Sequence, residues 1–297
     1  MNIYTTSFPV LLPSGIEIVP AGVKIDDSLL ASLKNMPADR RMISLKSNGT
    51  FKKDIRNIFK KNVYSSIFRD KKDRKSILSI VKNLSVSYAQ FEVLEYFKDT
   101  DVSTYDHLLS VFILSAYISA QLSVSKTPYS SFYGSLSHDI GKCSIPIEIL
   151  NKTTPLTQLE RKQLEHHTIA GYCLLHYFGV GNDNESPIIA RDHHENTNGT
   201  GYPLGKKNIS LNTEIVIACD IYDALLSPRA YRNEAFTNRT ALEELTKIAF
   251  DGKISQDIVK AFVAGCRNKK TAWYECNVSR DYRGKPPIKN NYGRFHD

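Results

Sequence analysis

The residues most able to do chemistry come in close groups. His138-Asp139 stands in "SHDIGK", which also supplies Lys142. His166-His167 and His193-His194-Glu195 follow, His107 precedes them, and Asp220 and Asp223 come last, in "DIYDAL". A single histidine such as His176 or His296 needs no special explanation, but two adjacent imidazoles need a third group to satisfy them. Imidazole nitrogen and carboxylate oxygen together suit a divalent transition metal. An aspartate beside a histidine can give one ligand to one ion and a bridging oxygen to a second. Two ions ~3.5–4 Å apart share a water and lower its pKa enough to make hydroxide near neutral pH. Such a hydroxide attacks phosphorus in line, while a lysine stabilises the charge that develops. Lys142 falls one helical turn from His138, so both can face one pocket. His166 is expected to be the spare of its pair. The spacing of a helical zinc protease is absent, because no histidine follows His194 at the required offset.

Helices must position these groups. Apolar residues recur every three or four positions through 77–97, 105–122, 129–138, 158–178, 184–194, 213–227, 238–250 and 255–266, the period of buried helix faces. The stretch 108–122 is the most apolar, yet it is shorter than the ~20 residues of a membrane span and reads as a buried helix. Residues 1–37 differ: apolar alternation broken by Pro-Ser-Gly and Pro-Ala-Gly predicts short strands joined by turns, then a helix capped by Asp at "DDSLLASL".

Bulk composition sets the frame. Hydrophobic residues make up 41% and charged residues 24% of the 297, as in an ordinary globular protein. The net charge of +8 is concentrated: residues 40–75 hold 13 Lys or Arg against 3 Asp. Ile55, Ile58, Phe59, Val63 and Ile67 sit between those bases at helical spacing. The stretch reads as the solvated face of an amphipathic helix, or as a contact surface for an acidic partner. No DNA-binding motif accompanies it. The five cysteines are scattered without a C-x-x-C pair, which fits reduced thiols in a cytoplasmic protein. No amino-terminal signal pattern is present. The end, "SRDYRGKPPIKNNYGRFHD", reads as a loosely packed tail.

Over roughly 100–266 the chain resembles the HD-GYP subgroup of the HD-domain phosphohydrolases. The resemblance rests on "HDIGK", on "LTQLERKQLEHHTIAG", on "HHENTNGTGYP" and on "DIYDALLSPRAYR". It implies a mainly α fold, an HD-type helical bundle with a two-metal site in its core, preceded by a small α+β region. The expected organisation is 1–95 as a regulatory or dimerising region, 96–270 as the phosphohydrolase domain and 271–297 as the tail. The implied activity is hydrolysis of cyclic di-GMP to linear pGpG or GMP, with iron or manganese. The implied metal ligands are His107, His138, Asp139, His167, His193, His194 and Asp220. Asp139 bridges, and the division of His193 and His194 between the ions stays open. Lys142 assists at the phosphate, and Tyr202, Asp223, Arg229 and Arg232 contact the nucleotide.

Three positions depart from the family pattern. Ser103 stands where members with a third metal have Glu, so two ions are expected. Asn198 replaces an Asp before the glycine of the long motif, and Ala230 replaces a Pro. The competing readings are a low-turnover cyclic di-GMP receptor or module for a GGDEF-domain partner, and a phosphodiesterase for another cyclic dinucleotide such as cyclic GMP-AMP. A homodimer is a candidate assembly.

Overall fold

The computed structural model describes residues 4–47, 49–122, 134–180, 185–227, 234–269 and 271–287. The architecture is mainly helical. Its centre is a pair of helices that are buried along nearly their whole length, α5 (Val102–Gln121) and α9 (Leu211–Leu226). A helix that is apolar on all sides belongs inside a protein. Around them lie α4 (Tyr88–Thr100), α6 (Gln158–Glu165), α7 (His167–Tyr177), α8 (Glu185–Asp192), α10 (Asn238–Phe250) and α11 (Gln256–Cys266). Every residue of α7 is buried. Among the described residues no helix is long and apolar enough to cross a membrane.

Polar residues start these helices where the sequence offers them. Asp101 caps α5 by accepting from the Thr104 amide, and Ser210 and Thr237 do the same for α9 and α10. Thr157 and Glu160 form a reciprocal capping box at α6, satisfying two amides that the helix cannot pair internally.

The amino-terminal residues form the expected small strands. Tyr4–Thr5 pairs with Lys24–Ile25, and Val10–Leu11 with Glu17–Val19, both antiparallel. Helix α1 (Asp27–Asn35) follows, with Asp26 accepting from the Leu29 amide. These elements are fastened to the bundle by polar contacts. Ser144 Oγ donates to the Leu11 carbonyl at 2.7 Å, and the Arg40 guanidinium donates to the Tyr177 carbonyl at the end of α7 at 2.8 Å.

Four expectations need correction. The periodic stretch 77–97 is two helices, α3 (Lys71–Asn83) and α4, split by a short strand, Ser85–Ser87, that pairs with Met42–Ser44. Ser87 caps α4, so the chain must be extended there. The basic stretch is not one amphipathic helix. It holds the Met42–Ser44 strand, α2 (Phe51–Ile58), a 3₁₀ turn at Asn62–Tyr64 and the start of α3. Ile55, Ile58, Phe59 and Ile67 are buried all the same, whereas Val63 is exposed. The stretch 158–178 breaks at His166 into α6 and α7. The expected loose tail is docked in part: the amides of Arg283 and Gly284 donate to the Glu243 carboxylate.

One close approach places the site. The 3₁₀ turn Ile140–Ser144 lies so near α7 that a Cβ on Gly141 would stand 1.9 Å from the His167 carbonyl oxygen and 2.4 Å from the Gly171 nitrogen. Both are main-chain atoms and cannot swing aside. Gly141→Ala should therefore destabilise the protein by about 3 kcal/mol, seen as a lower urea midpoint. An unchanged midpoint would mean that the turn and α7 do not touch in this way.

Candidate metal centre

His138 and Asp139 are not on a helix. They occupy the turn that follows the helical residues 134–137 and precedes the 3₁₀ turn. His167 lies just beyond the end of α6, and His193 just beyond the end of α8. Each is therefore beside a last helical turn, where the regular ladder of amides runs out. Each uses a carbonyl of that turn. The Nδ1 of His138 lies 2.7 Å from the Ser135 carbonyl, that of His167 2.6 Å from Leu164, and that of His193 2.9 Å from Ala190. A carbonyl only accepts, so Nδ1 carries the hydrogen and Nε2 is left with its lone pair.

Those Nε2 atoms converge on the Asp139 carboxylate. Oδ1 lies 3.3 Å from His167 Nε2 and 3.5 Å from His193 Nε2. Oδ2 lies 3.5 Å from His138 Nε2, 3.6 Å from His107 Nε2 and 2.6 Å from Lys142 Nζ. Two groups of possible ligand atoms result, Asp139 with His167, His193 and His194, and Asp139 with His107 and His138. The carboxylate is common to both. His193 and His194, whose division the sequence leaves open, fall in the same group as His167. Asp220 belongs to the other side, its Oδ1 3.0 Å from His107 Nε2.

The site passes a chemical test for metal. His138 Nε2 and Asp139 Oδ1 are buried and have no hydrogen-bond partner, an expensive state unless something else binds them. The donor set is imidazole and carboxylate throughout, which suits a divalent transition-metal ion. Burial pulls the His138 imidazole down to about 3, and burial with neighbouring imidazoles puts His194 well below its ordinary value. Both are thus neutral ligands at pH 7. Burial opposes ionisation of Asp139, but Lys142 and the surrounding imidazoles overcome it and hold that carboxyl well below the usual range.

His107 differs. Its Nδ1 lies 2.6 Å from Asp223 Oδ2, while Nε2 faces Asp220. Burial lowers it, yet the two carboxylates outweigh burial and raise it to about 9. Asp223, expected as a nucleotide contact, is buried beside His107, where one oxygen orients the imidazole and the other accepts the Tyr64 hydroxyl. Tyr64 was invisible as a site residue. It lies 159 positions from Asp223 in sequence, inside a stretch notable for its lysines, and no local signal marks it.

The remaining expected residues are placed as follows. His166 points away from the cluster, its ring against Phe8, as the spare of its pair. Tyr202 stacks on His194 with ring centroids 4.7 Å apart. Asn198 keeps the turn: its Oδ1 accepts from the Thr200 amide, and Gly199 has φ +83°. Gly201 permits close approach, since a Cβ there would lie 2.4 Å from Glu195 Cα. Glu195 itself is fully buried and accepts from the amides of Leu204 and Lys206. It pins the loop after Pro203, a role the "HHE" triplet did not suggest. Arg229 and Arg232 lie outside the described residues, as does Ala230.

Comparison with known proteins agrees with this geometry. The HD domain matches residues 77–256. The chain belongs to the HD domain family. It is 33% identical over 187 residues to a cyclic di-GMP phosphodiesterase of Thermotoga maritima, covering 58% of this chain and 48% of that protein. It is 40% identical over 114 residues to a cyclic di-GMP phosphodiesterase response regulator of Xanthomonas campestris, covering 36% and 29%. A 3'3'-cGAMP-specific phosphodiesterase of Vibrio cholerae is 32% identical over 141 residues, covering 46% and 32%. The matched stretch spans less than half the length of each of these relatives.

Two outcomes follow from the electrostatics. Because His107 keeps a proton up to about 9 while His138 and His194 are already neutral, manganese uptake at pH 7.5 should release about one proton per chain. Calorimetry in buffers of different ionisation enthalpy reads this directly. Release should fade as the pH rises past 9. In the metal-free protein the same raised group contributes stability that is complete below 6.5 and lost as the pH climbs through about 9. Secondly, Tyr64→Phe removes a donor from Asp223 and should weaken manganese affinity about tenfold. If affinity is unchanged, Tyr64 does not help to orient His107.

Proposed function

We propose that the protein is a metal-dependent phosphodiesterase acting on a cyclic dinucleotide, cyclic di-GMP first. The observation that carries this is the Asp139 carboxylate, faced on each oxygen by histidine Nε2 atoms and shared between the two ligand groups. His107, His138, Asp139, His167, His193, His194 and Asp220 would hold two iron or manganese ions. Bound there, the ions supply water activation and Lewis acidity toward the phosphate.

The chain's own groups do the rest. Lys142 Nζ lies 2.6 Å from Asp139 Oδ2 and is partly exposed, so it can offer its charge to a phosphate oxygen at the edge of the centre. Tyr202, half-buried against His194, presents an aromatic edge beside the ligands where a guanine can lie. Arg229 and Arg232 suit phosphate or guanine recognition, as guanidinium forks do. Residues 1–95 serve as a regulatory or dimerising region, with a GGDEF-domain protein as a candidate partner. The scattered, mostly buried free thiols fit a bacterial cytoplasm. Cyclic GMP-AMP is the second substrate to test, because proteins named for that specificity are among the relatives.

The deciding experiment is turnover of cyclic di-GMP by protein purified anaerobically with iron or manganese, with metal content measured on the same sample. About two ions per chain and formation of pGpG or GMP are expected. His138→Ala and Asp139→Ala should each lose metal and lower turnover about a thousandfold or more. Arg229→Ala should raise KM with metal content unchanged. Bound metal and bound nucleotide without turnover would instead make the protein a receptor.

A further inference from the structure

A cyclic dinucleotide carries two phosphodiesters, and only one reacts at a time. The other must be met by something else. Beside His107 the surface opens into a cleft lined by Lys61, Ser103, Asp106 and Ser227, among others, with Asp223 in its wall. Among the described residues, Lys61 is the lysine or arginine that lines it. Lys142, paired with Asp139, does not line it.

We propose that Lys61 binds the non-reacting phosphate of the cyclic dinucleotide, so that the amino-terminal region completes the substrate site. The inference rests on the phosphodiesterase reading above. Three observations support it. First, the main chain at Lys61 is fixed. Its amide donates to the Ile58 carbonyl and its carbonyl accepts from the Tyr64 amide, each at 3.0 Å. Tyr64 and the nearby Phe59 and Phe68 are buried, and the Tyr64 hydroxyl donates to Asp223. The lysine is therefore held at the rim of the centre by the same turn that reaches beneath His107.

Second, its side chain is not locked. Nζ lies 2.8 Å from Asp106 Oδ2, but the two side chains are 38% and 40% exposed. An ion pair that open to water is close to neutral in free energy, and an incoming phosphate can take the ammonium from Asp106 at little cost. Third, the cleft is otherwise acidic, with Asp106 and Asp223 in its wall. A phosphate entering there needs a cation, while Ser103 brings a hydroxyl that can donate to it.

The test compares substrates with two phosphodiesters and with one. Lys61→Met keeps the apolar stem and removes the charge. It should raise KM for cyclic di-GMP about tenfold, with metal content unchanged, and leave KM for bis(p-nitrophenyl) phosphate unaltered. Lys61→Arg should retain most of the affinity. Lys60→Met, at an exposed neighbour outside the cleft, should leave both values as they are and so controls for general attraction by the basic stretch. Asp106→Asn, which frees the ammonium, should lower KM for cyclic di-GMP or leave it unchanged. An unaltered KM in Lys61→Met overturns the inference. So does an equal loss with both substrates, which would show that Lys61 acts through the structure of the centre. If the wild-type protein binds cyclic di-GMP without turning it over, the same comparison is made on Kd by calorimetry. A wild-type protein that neither binds nor hydrolyses any cyclic dinucleotide overturns the phosphodiesterase reading itself.

Discussion

A neutral imidazole has one hydrogen to give and one lone pair to offer, and the centre depends on which nitrogen has which. At His138, His167 and His193 the choice is made by a carbonyl three residues earlier, in the last turn of the helix that precedes each. Each carbonyl lies in the last turn of its helix, where the regular ladder of amides runs out. One contact therefore satisfies a helix end and fixes a tautomer.

The second constraint is charge. A carboxylate as buried as Asp139 is tolerated only with positive or hydrogen-bonding company. Lys142 supplies part of that, and the orphaned Oδ1 and His138 Nε2 show that the protein alone does not complete it. His107 makes the complementary point. Flanked by Asp220 and Asp223, it holds a second proton where His138 and His194 hold only one. The two sides of the centre are thus chemically unequal before any ion arrives. Ions bound on the two sides would meet different donors and a different pH dependence.

Much of this was legible in the sequence because it is local. Helices α10 and α11 have clean periodicity and Ser or Thr caps, and their bounds follow from those alone. The ligand candidates were legible because adjacent histidines are hard to satisfy otherwise. What was not legible is long-range. Asp223, three residues after Asp220, reads as a substrate contact, and nothing local says that it also meets His107 and Tyr64, the latter from a distant turn. The basic stretch misled for a related reason. Its apolar residues are at helical spacing, but they are buried by three separate elements rather than by one helix face. Glu195 shows the same limit at short range: nothing in its spacing says that it will accept the amides of a loop nine and eleven residues on.

The contact between Tyr64 and Asp223 joins two processes usually treated apart. Through Asp223 and His107, the docking of the Asn62–Tyr64 turn and the loading of the centre share one hydrogen-bonded chain. Thermodynamic reciprocity then requires that whatever steadies the turn also favours metal, and that metal in return steadies the turn. Were metal to bind beside His107, the amino-terminal region would in this sense report its loading. A change in metal supply would be felt at a surface that never touches the ion.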